Sequence, residues 1–491
     1  MNRRALLARA AAALGVLPVL RRSSRVAFAE NAPVRRVRPS DPAWPGEASW
    51  TKLNEAVGGR LIRVNSPLSA CREAPDGAAC GDLFNKLKNP YYIGDNVALT
   101  QSNGWLDAWE SQPSVCAVVA EKTDDVIAAV NFARDNNLRL VVKGGGHSYL
   151  GTSNAADSLL VWTRPMRSIV LHQAFVGEGC SALGAPQPAV SVEAGAIWVD
   201  VYDAVTTKGG RYVQGGGCVT VGVAGLVQGG GFGSFSKNYG TAASWLLEAE
   251  IVTADGAVRI ANACTNPDLF WAIKGGGGGS FGIVTKLTLR THELPALFGG
   301  TLLTIKATSD AAFRQLLGGF FKFYSESLFN PHWGESVTLR PGNILAVSMV
   351  SQGLDKQQAE TVWQLFLDWV RGSPQDFTHA QAPVIGSMAA RNWWDADYRR
   401  NNLPNTVHSD DRPGAPETSS TSANHLRMEY SSLRSTRKVT GTSYAAAVQK
   451  PVIAYCAEPS PRTQTTGLSG SASCTPIAAA SPKPRPPPAP K

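Results

Sequence analysis

A chain of 491 residues, 43% hydrophobic and 17% charged, has room for two or three domains with sizeable cores and is no disordered polymer. Its net charge of +9 excludes less than it promises, because the excess lies in residues 1–29 and beyond 415 while the body between is slightly acidic. A nucleic-acid binder carries its basic residues on a folded face, so no nucleic-acid partner is expected.

The chain starts MNRRALLARAAAALGVLPVL, then RRSSRVAFAE. A basic start, a short apolar run and the small-x-small site Ala27-Phe28-Ala29 read as an export signal over 1–29. Arg3-Arg4 before Ala5-Leu6-Leu7 resembles a twin-arginine leader. The expected partner is then the twin-arginine translocation machinery, and the expected location periplasmic or secreted. Such export carries folded proteins, which suits a chain that acquires a cofactor first. A basic tail on a cytosolic protein is the other reading. The run contains Arg9 and is too short for a stable membrane span.

Residues 30–108 read as a Pro- and Arg-rich linker followed by short helix and turn signals. Organisation then sharpens. SVCAVVAE (114–121) is a strand, TDDVIAAVNFARDNN (123–137) a helix with Val126, Ile127, Val130 and Phe132 along one stripe, and LRLVVK (138–143) a strand ending in glycines. SLLVW (158–162) is a further strand. Short strands follow at 189–197, 209–217, 246–260 and 282–294, with the Asp-Gly hairpin turn TADG inside the third. From about 298 the pattern becomes a strand, a helix capped by Ser309, two strands and a long amphipathic helix, which reads as a sheet covered by helices. Beyond 415 no period persists, and SPKPRPPPAPK is low-complexity.

The eight cysteines are 71, 80, 116, 180, 218, 264, 456 and 474, with no C-x-x-C pair. A zinc ribbon is therefore not expected, and no metal site is. CREAPDGAAC, from Cys71 to Cys80, suits either a disulfide or two separate thiols. Cys218 has no evident partner.

Glycine runs after strands let backbone N–H groups approach a phosphate closely. There is no G-x-x-x-x-G-K-[ST] run, which disfavours a nucleoside triphosphatase. The glycines at 144–146 lead into a polar stretch and not a helix, so a nicotinamide-type Rossmann domain fits poorly. Taken alone, His147 is as readily a surface-loop residue as a functional one, and Cys218 a small buried side chain.

Together they resemble a known family. Lys143-Gly144-Gly145-Gly146-His147-Ser148, then Gly216-Gly217-Cys218-Val219-Thr220-Val221-Gly222-Val223-Ala224-Gly225 and Gly229-Gly230-Gly231-Phe232-Gly233, are similar to motifs of the berberine-bridge-enzyme-like FAD-linked oxidoreductases of the vanillyl-alcohol-oxidase (VAO) superfamily. The order through Tyr239-Gly240, TADG and DLFWAIKGGGGGSFGIVT also matches. The resemblance implies an α+β chain: a two-lobed PCMH-type FAD-binding domain over 109–293, then a partial α+β substrate domain over 294–414, with an irregular tail over 415–491. The domain reads as incomplete because the Tyr-x-Asn-Tyr and Lys-Tyr-Asp-Pro segments of such relatives are missing from this sequence.

It also implies FAD bound covalently twice, through His147 to the 8α-methyl carbon and through Cys218 to ring carbon C6. Gly144, Gly145, Gly146 and Ser148 would contact the pyrophosphate. Thr220, Gly222 and Gly225 would contact flavin and diphosphate, with Tyr239 and Ile283 near the cofactor. The implied reaction is oxidation of a sugar or secondary-metabolite alcohol, with hydride transfer to flavin N5 and oxygen or another acceptor reoxidising the flavin. No catalytic base is assigned; Tyr149 and Glu335 lie in motifs of interest without a role. The alternatives are a flavin-binding protein without turnover and an exported binding protein whose glycines only make turns.

Overall fold

The computed structural model describes residues 35–403, apart from 88, 102–111, 183 and 335, together with the backbone at 407–408 and 418–419. The export signal, most of the tail and Glu335 lie outside the described residues.

The first lobe contains α1 (Glu47–Ala56), β1 (Leu61–Arg63), β2 (Cys116–Val119), α2 (Thr123–Asp135), β3 (Arg139–Lys143) and β4 (Ser158–Trp162). Its sheet runs β1-β2-β4-β3, with β4 parallel to both β2 and β3 and β1 antiparallel to β2. The α2 stripe buries Val126 and Val130 with Ala129 and Ala133, while Ile127 and Phe132 pack at the margin of the same core. Asp125 in the first turn of α2 is fully buried. It accepts hydrogen bonds from the backbone N–H groups of Glu121 (2.9 Å) and Lys122 (3.2 Å) and from the Arg60 guanidinium. A buried carboxylate so surrounded is well stabilised. The domain boundary expected at 109 falls inside this lobe: Trp50 and Leu53 of α1 share its core and β1 extends its sheet. The intervening segment is helical at Ser69–Glu73, Ala78–Lys86 and Pro90–Gly94, and a Cys71–Cys80 disulfide closes the loop between the first two.

The second lobe is an antiparallel sheet of β5 (Ile169–Phe175), β6 (Gln187–Glu193), β7 (Leu246–Val252), β8 (Val258–Asn262) and β9 (Ile283–Arg290), in the order β5-β6-β9-β7-β8. The β7–β8 hairpin turns at TADG, where Gly256 has φ +79. A second disulfide, Cys180–Cys264, joins the loop after β5 to the segment after β8. The stretch 209–217 forms a strand only at Arg211–Tyr212, paired with His292–Glu293.

The second domain contains β10 (Leu297–Ala307), α3 (Asp310–Phe323), β11 (Trp333–Gly334), β12 (Val337–Arg340), β13 (Ile344–Gln352), α4 (Lys356–Arg371) and β14 (Phe377–Ala389). Its sheet runs β11-β13-β10-β14, with β12 also on β13. Ser309 caps α3 by accepting from Ala312 N, and Asp355 with Gln358 makes a reciprocal cap on α4. The apolar stripes of both helices, including Leu316, Phe320, Trp363 and Phe366, bury one face of the sheet. Each such side chain contributes about 1.5–3 kcal/mol. On the other face Leu302 lies between Ser348 and Val384, and that row stays partly or largely exposed. The architecture is the expected one: two lobes of mixed helix and sheet, followed by a helix-covered antiparallel domain.

Candidate functional site

Lys143 ends β3 with its side chain turned into the protein, 2% exposed. Its ammonium donates to the carbonyl oxygens of Leu99 (2.9 Å), Asn96 (3.4 Å) and Val97. Burial draws its pKa down to about 7; the three carbonyls oppose that by accepting its hydrogens. The strap 96–101 is tied at two further points, from Gln101 N to Gly146 O (2.9 Å) and from Asn154 Nδ2 to Ala98 O (3.0 Å). Gly146 then turns the chain at φ +77, a conformation open to glycine at little cost.

The second glycine loop approaches from the other lobe. Tyr202 donates its buried hydroxyl to Gly216 O (2.7 Å), and Gly215 lies flat on the Trp198 indole, so close that a Cβ there would sit 2.3 Å from the ring. Trp198 N and Val199 N donate to the carbonyls of Val221 and Val219. These contacts hold the Cys218–Gly222 turn against Gly144–Gly146. A methyl on Gly145 would lie 2.6 Å from Gly222 N and 2.9 Å from Thr220 O.

This backbone contact brings the two singled-out side chains to one oxygen. His147 Nε2 lies 3.1 Å and Cys218 Sγ 3.8 Å from Thr220 Oγ1. Burial depresses the imidazole pKa to about 4, against a weaker opposing pull from the Thr220 backbone. His147 is therefore neutral at physiological pH. Cys218 is half-buried and outside both disulfides. A neutral imidazole and a thiol at one glycine-lined seam form a pair of nucleophiles suited to attachment chemistry. The donor set, a neutral imidazole and a thiol held beside one hydroxyl, fits attachment to a flavin nucleotide.

The other expected residues divide. Gly144 and Gly145 are walls of the seam: a Cβ on Gly144 would meet Ala194 O at 3.0 Å, and one on Gly222 would meet Gly145 N at 2.9 Å. Gly225 has nothing within 4 Å of such a Cβ. Ser148 spends its hydroxyl on its own turn, bonded to Thr152 Oγ1 (2.7 Å) and accepting from Leu150 N and Thr152 N. Ile283 is buried in the first lobe's core. Tyr239 sits at the junction with the second domain, where its hydroxyl donates to Gln352 Oε1 (3.4 Å). Beside it Lys237 donates to Leu328 O (2.8 Å), and Gly334 abuts Ser234 so closely that it has no room for a Cβ. The second domain is thus seated on the glycine segment that follows the cysteine loop. Tyr149 is 60% exposed. Sequence reading missed the Lys143 cage and buried Arg164, which bonds Asp95 (2.8 Å) and Gly195 O (3.1 Å). Lys143 opens the quoted motif, but its carbonyl partners 44–47 residues away leave no local pattern, and none marks Arg164.

His292 occupies an aromatic box just before the second domain. Its ring meets Trp245 edge-on at 4.3 Å and Tyr239 at 4.9 Å, and Nε2 has no hydrogen-bond partner among the described residues. Burial first, then Arg290 and Arg211, lowers its pKa to about 4. As pH falls, the unfolded chain takes up this proton near 6.5 and the native chain only near 4. Stability is whole above the first value and is lost toward the second. The loss is on the order of 2 kcal/mol after allowance for partial solvent access. Urea unfolding across this window should give a shallower pH slope for His292→Phe than for wild type; equal slopes would refute the assignment.

Comparison with known proteins agrees with this geometry. Residues 115–262 match a family model described as an FAD binding domain. The chain is 35% identical over 306 residues to the FAD-linked oxidoreductase easE of Arthroderma otae, across 57% of this chain and 49% of that protein. It is 31% identical over 386 residues to a VAO-type flavoprotein oxidase of Thermothelomyces thermophilus, across 74% of this chain and 64% of that one. The crystal structure of a VAO-type flavoprotein from Myceliophthora thermophila superposes with a TM-score of 0.65 at 26% identity, covering 82% of this chain and 76% of that one. Berberine bridge enzyme from Eschscholzia californica shares the fold, with a TM-score of 0.50 at 20% identity over 72% of this chain and 62% of that chain. The chain spans about half to two thirds of the length of the curated relatives it matches. With the glycine seam, the two lobes and the helix-covered second domain, these matches show a chain built on an FAD-binding domain and similar to the VAO-type flavoproteins.

Proposed function

We propose that the chain is an FAD-dependent oxidoreductase that holds its flavin by two covalent bonds, through His147 and Cys218, and oxidises an alcohol carbon of a sugar or secondary metabolite. The observation that carries the reading is the convergence of His147 and Cys218 on the Thr220 hydroxyl. Bound at that seam, FAD supplies a two-electron acceptor for the hydrogen of the substrate carbon, with dioxygen as the final acceptor. Gly144, Gly145 and Gly222 let the two loops close on each other, which supports a site where both attachment residues face one cofactor. The partly exposed row of Leu302, Ser348 and Val384 supports a substrate-facing role for the second domain. The two disulfides support export to an oxidising compartment.

The test is acid precipitation of the full chain after expression with riboflavin, with mass analysis of its peptides and peroxide assays on a panel of alcohols. Wild type should give a yellow pellet, flavin mass on the peptides holding His147 and Cys218, and peroxide with at least one alcohol. His147→Ala and Cys218→Ala should each keep one bond, and the double variant should release all its FAD to the supernatant. A colourless wild-type pellet refutes covalent attachment, and FAD-loaded protein that makes no peroxide refutes the oxidase reading.

A further inference from the structure

Both nucleophiles meet the same threonine, and that contact decides which atoms can react. A neutral imidazole carries one hydrogen, on Nδ1 or Nε2, and the nitrogen without it is the nucleophile. Nε2 lies 3.1 Å from Thr220 Oγ1. The same oxygen is 3.8 Å from Cys218 Sγ. Thr220 is 6% exposed, and its turn is held by Trp198 N and Val199 N on one side and by the Gly145 backbone on the other. A branched side chain on so confined a turn has little rotamer freedom.

We infer that Thr220 is a positioning residue that couples the two attachments: its hydroxyl accepts the Nε2–H of His147, leaving Nδ1 bare to attack, and donates its own hydrogen toward the sulfur of Cys218. This rests on the covalent reading above. The hydrogen bonds run one way, from imidazole to hydroxyl to sulfur. That direction favours the reactive form of both partners, a free Nδ1 lone pair and a sulfur with thiolate character. The reverse direction would protonate Nδ1 and block it. The depressed imidazole pKa agrees, since it keeps His147 in the singly protonated form where the tautomer matters. At His147 the bare Nδ1 would bond the 8α-methyl carbon and the imidazole would then release its Nε2 proton; at Cys218 the sulfur would exchange its own hydrogen for a bond to ring carbon C6. In each case that hydrogen, the one displaced from the ring carbon or methyl group, and two electrons pass to the flavin and then to dioxygen as hydrogen peroxide.

The test uses full-length apoprotein from a riboflavin-starved host, mixed with FAD in air. Acid precipitation over time separates linked flavin in the pellet from released FAD in the supernatant. Thr220→Val should bind FAD but link it about tenfold to a hundredfold more slowly than wild type. It should also show a changed pH profile of the linking rate. Thr220→Ser, which restores the hydroxyl, should return to near the wild-type rate. Linking by Thr220→Val at the wild-type rate overturns the inference. A merely structural role would lower FAD binding and linking together, with no change of pH profile, and overturns it too. If wild type links no flavin, the covalent reading itself has failed, so the two failures are distinct. Should Thr220→Val not fold, nitrogen NMR of wild-type apoprotein reads the His147 tautomer directly: a proton on Nε2 is expected, and one on Nδ1 overturns the proposal.

Discussion

Gly145→Ala is expected to fold but to lose nearly all covalent flavin. The added methyl would sit 2.6 Å from Gly222 N and 2.9 Å from Thr220 O, and neither neighbour is the far end of a flexible side chain. The two loops must move apart, and overpacking of this kind costs about 1–3 kcal/mol. The consequence for chemistry is larger. His147 follows two residues later on one loop, and its contact with Thr220 at 3.1 Å crosses to the other. A displacement of about 1 Å at a reacting group costs about a hundredfold in rate. The expected result is a thermal midpoint lower by a few degrees and pellet flavin near a hundredth of wild type at early times. Gly225→Ala is the control for the fold. Nothing lies within 4 Å of its Cβ, so the apoprotein should unfold at or slightly above the wild-type midpoint, because alanine favours the helix Val223–Gln228. Wild-type flavin linkage in Gly145→Ala would show that the seam does not depend on this backbone approach.

Much of this was legible wherever the physics is local. The α2 stripe, the Ser309 cap, the Asp-Gly hairpin and the amphipathic face of α4 each depend on neighbours within a few residues, and all four stand where the pattern puts them. The glycines flanking His147 and Cys218 were legible for a related reason: a run without side chains has few purposes. What escaped depends on distant partners. β14 is the longest strand of its sheet, yet Pro383 and Gly386 break its pattern; both are tolerated because it is an edge strand with irregular register near Leu302 and Thr304. The Cys180–Cys264 disulfide spans 84 residues and forms only because the segments after β5 and β8 meet. The boundary expected at 109 missed that α1 and β1 complete the first lobe, since three strand residues carry almost no periodic signal. The turn that the Ser148 hydroxyl closes to Thr152 is likewise not marked by its place in the motif.

Lys143→Met should be among the most destabilising substitutions in the first lobe, although it removes a buried charge. Replacing a whole buried ionic group by apolar atoms is often neutral, but removing one partner alone is not. Here the partners are the backbone carbonyls of Asn96, Val97 and Leu99, which stay after the ammonium is gone. Each buried acceptor left unpaired costs about 1–3 kcal/mol. Water entering along the strap recovers part of that, so a net loss of about 3–5 kcal/mol is expected. Two ties remain, from Gln101 N to Gly146 O and from Asn154 to Ala98 O, so the damage should be concentrated in the strap. Hydrogen exchange at the Gln101 amide should accelerate well before exchange in the second domain, whose core shares no residue with this one. Urea unfolding gives the size of the loss, and the exchange pattern gives its location. An unfolding midpoint equal to wild type would mean that the three carbonyls are satisfied without the ammonium. Uniform acceleration across both domains would mean that Lys143 supports the whole chain and not the strap beneath His147.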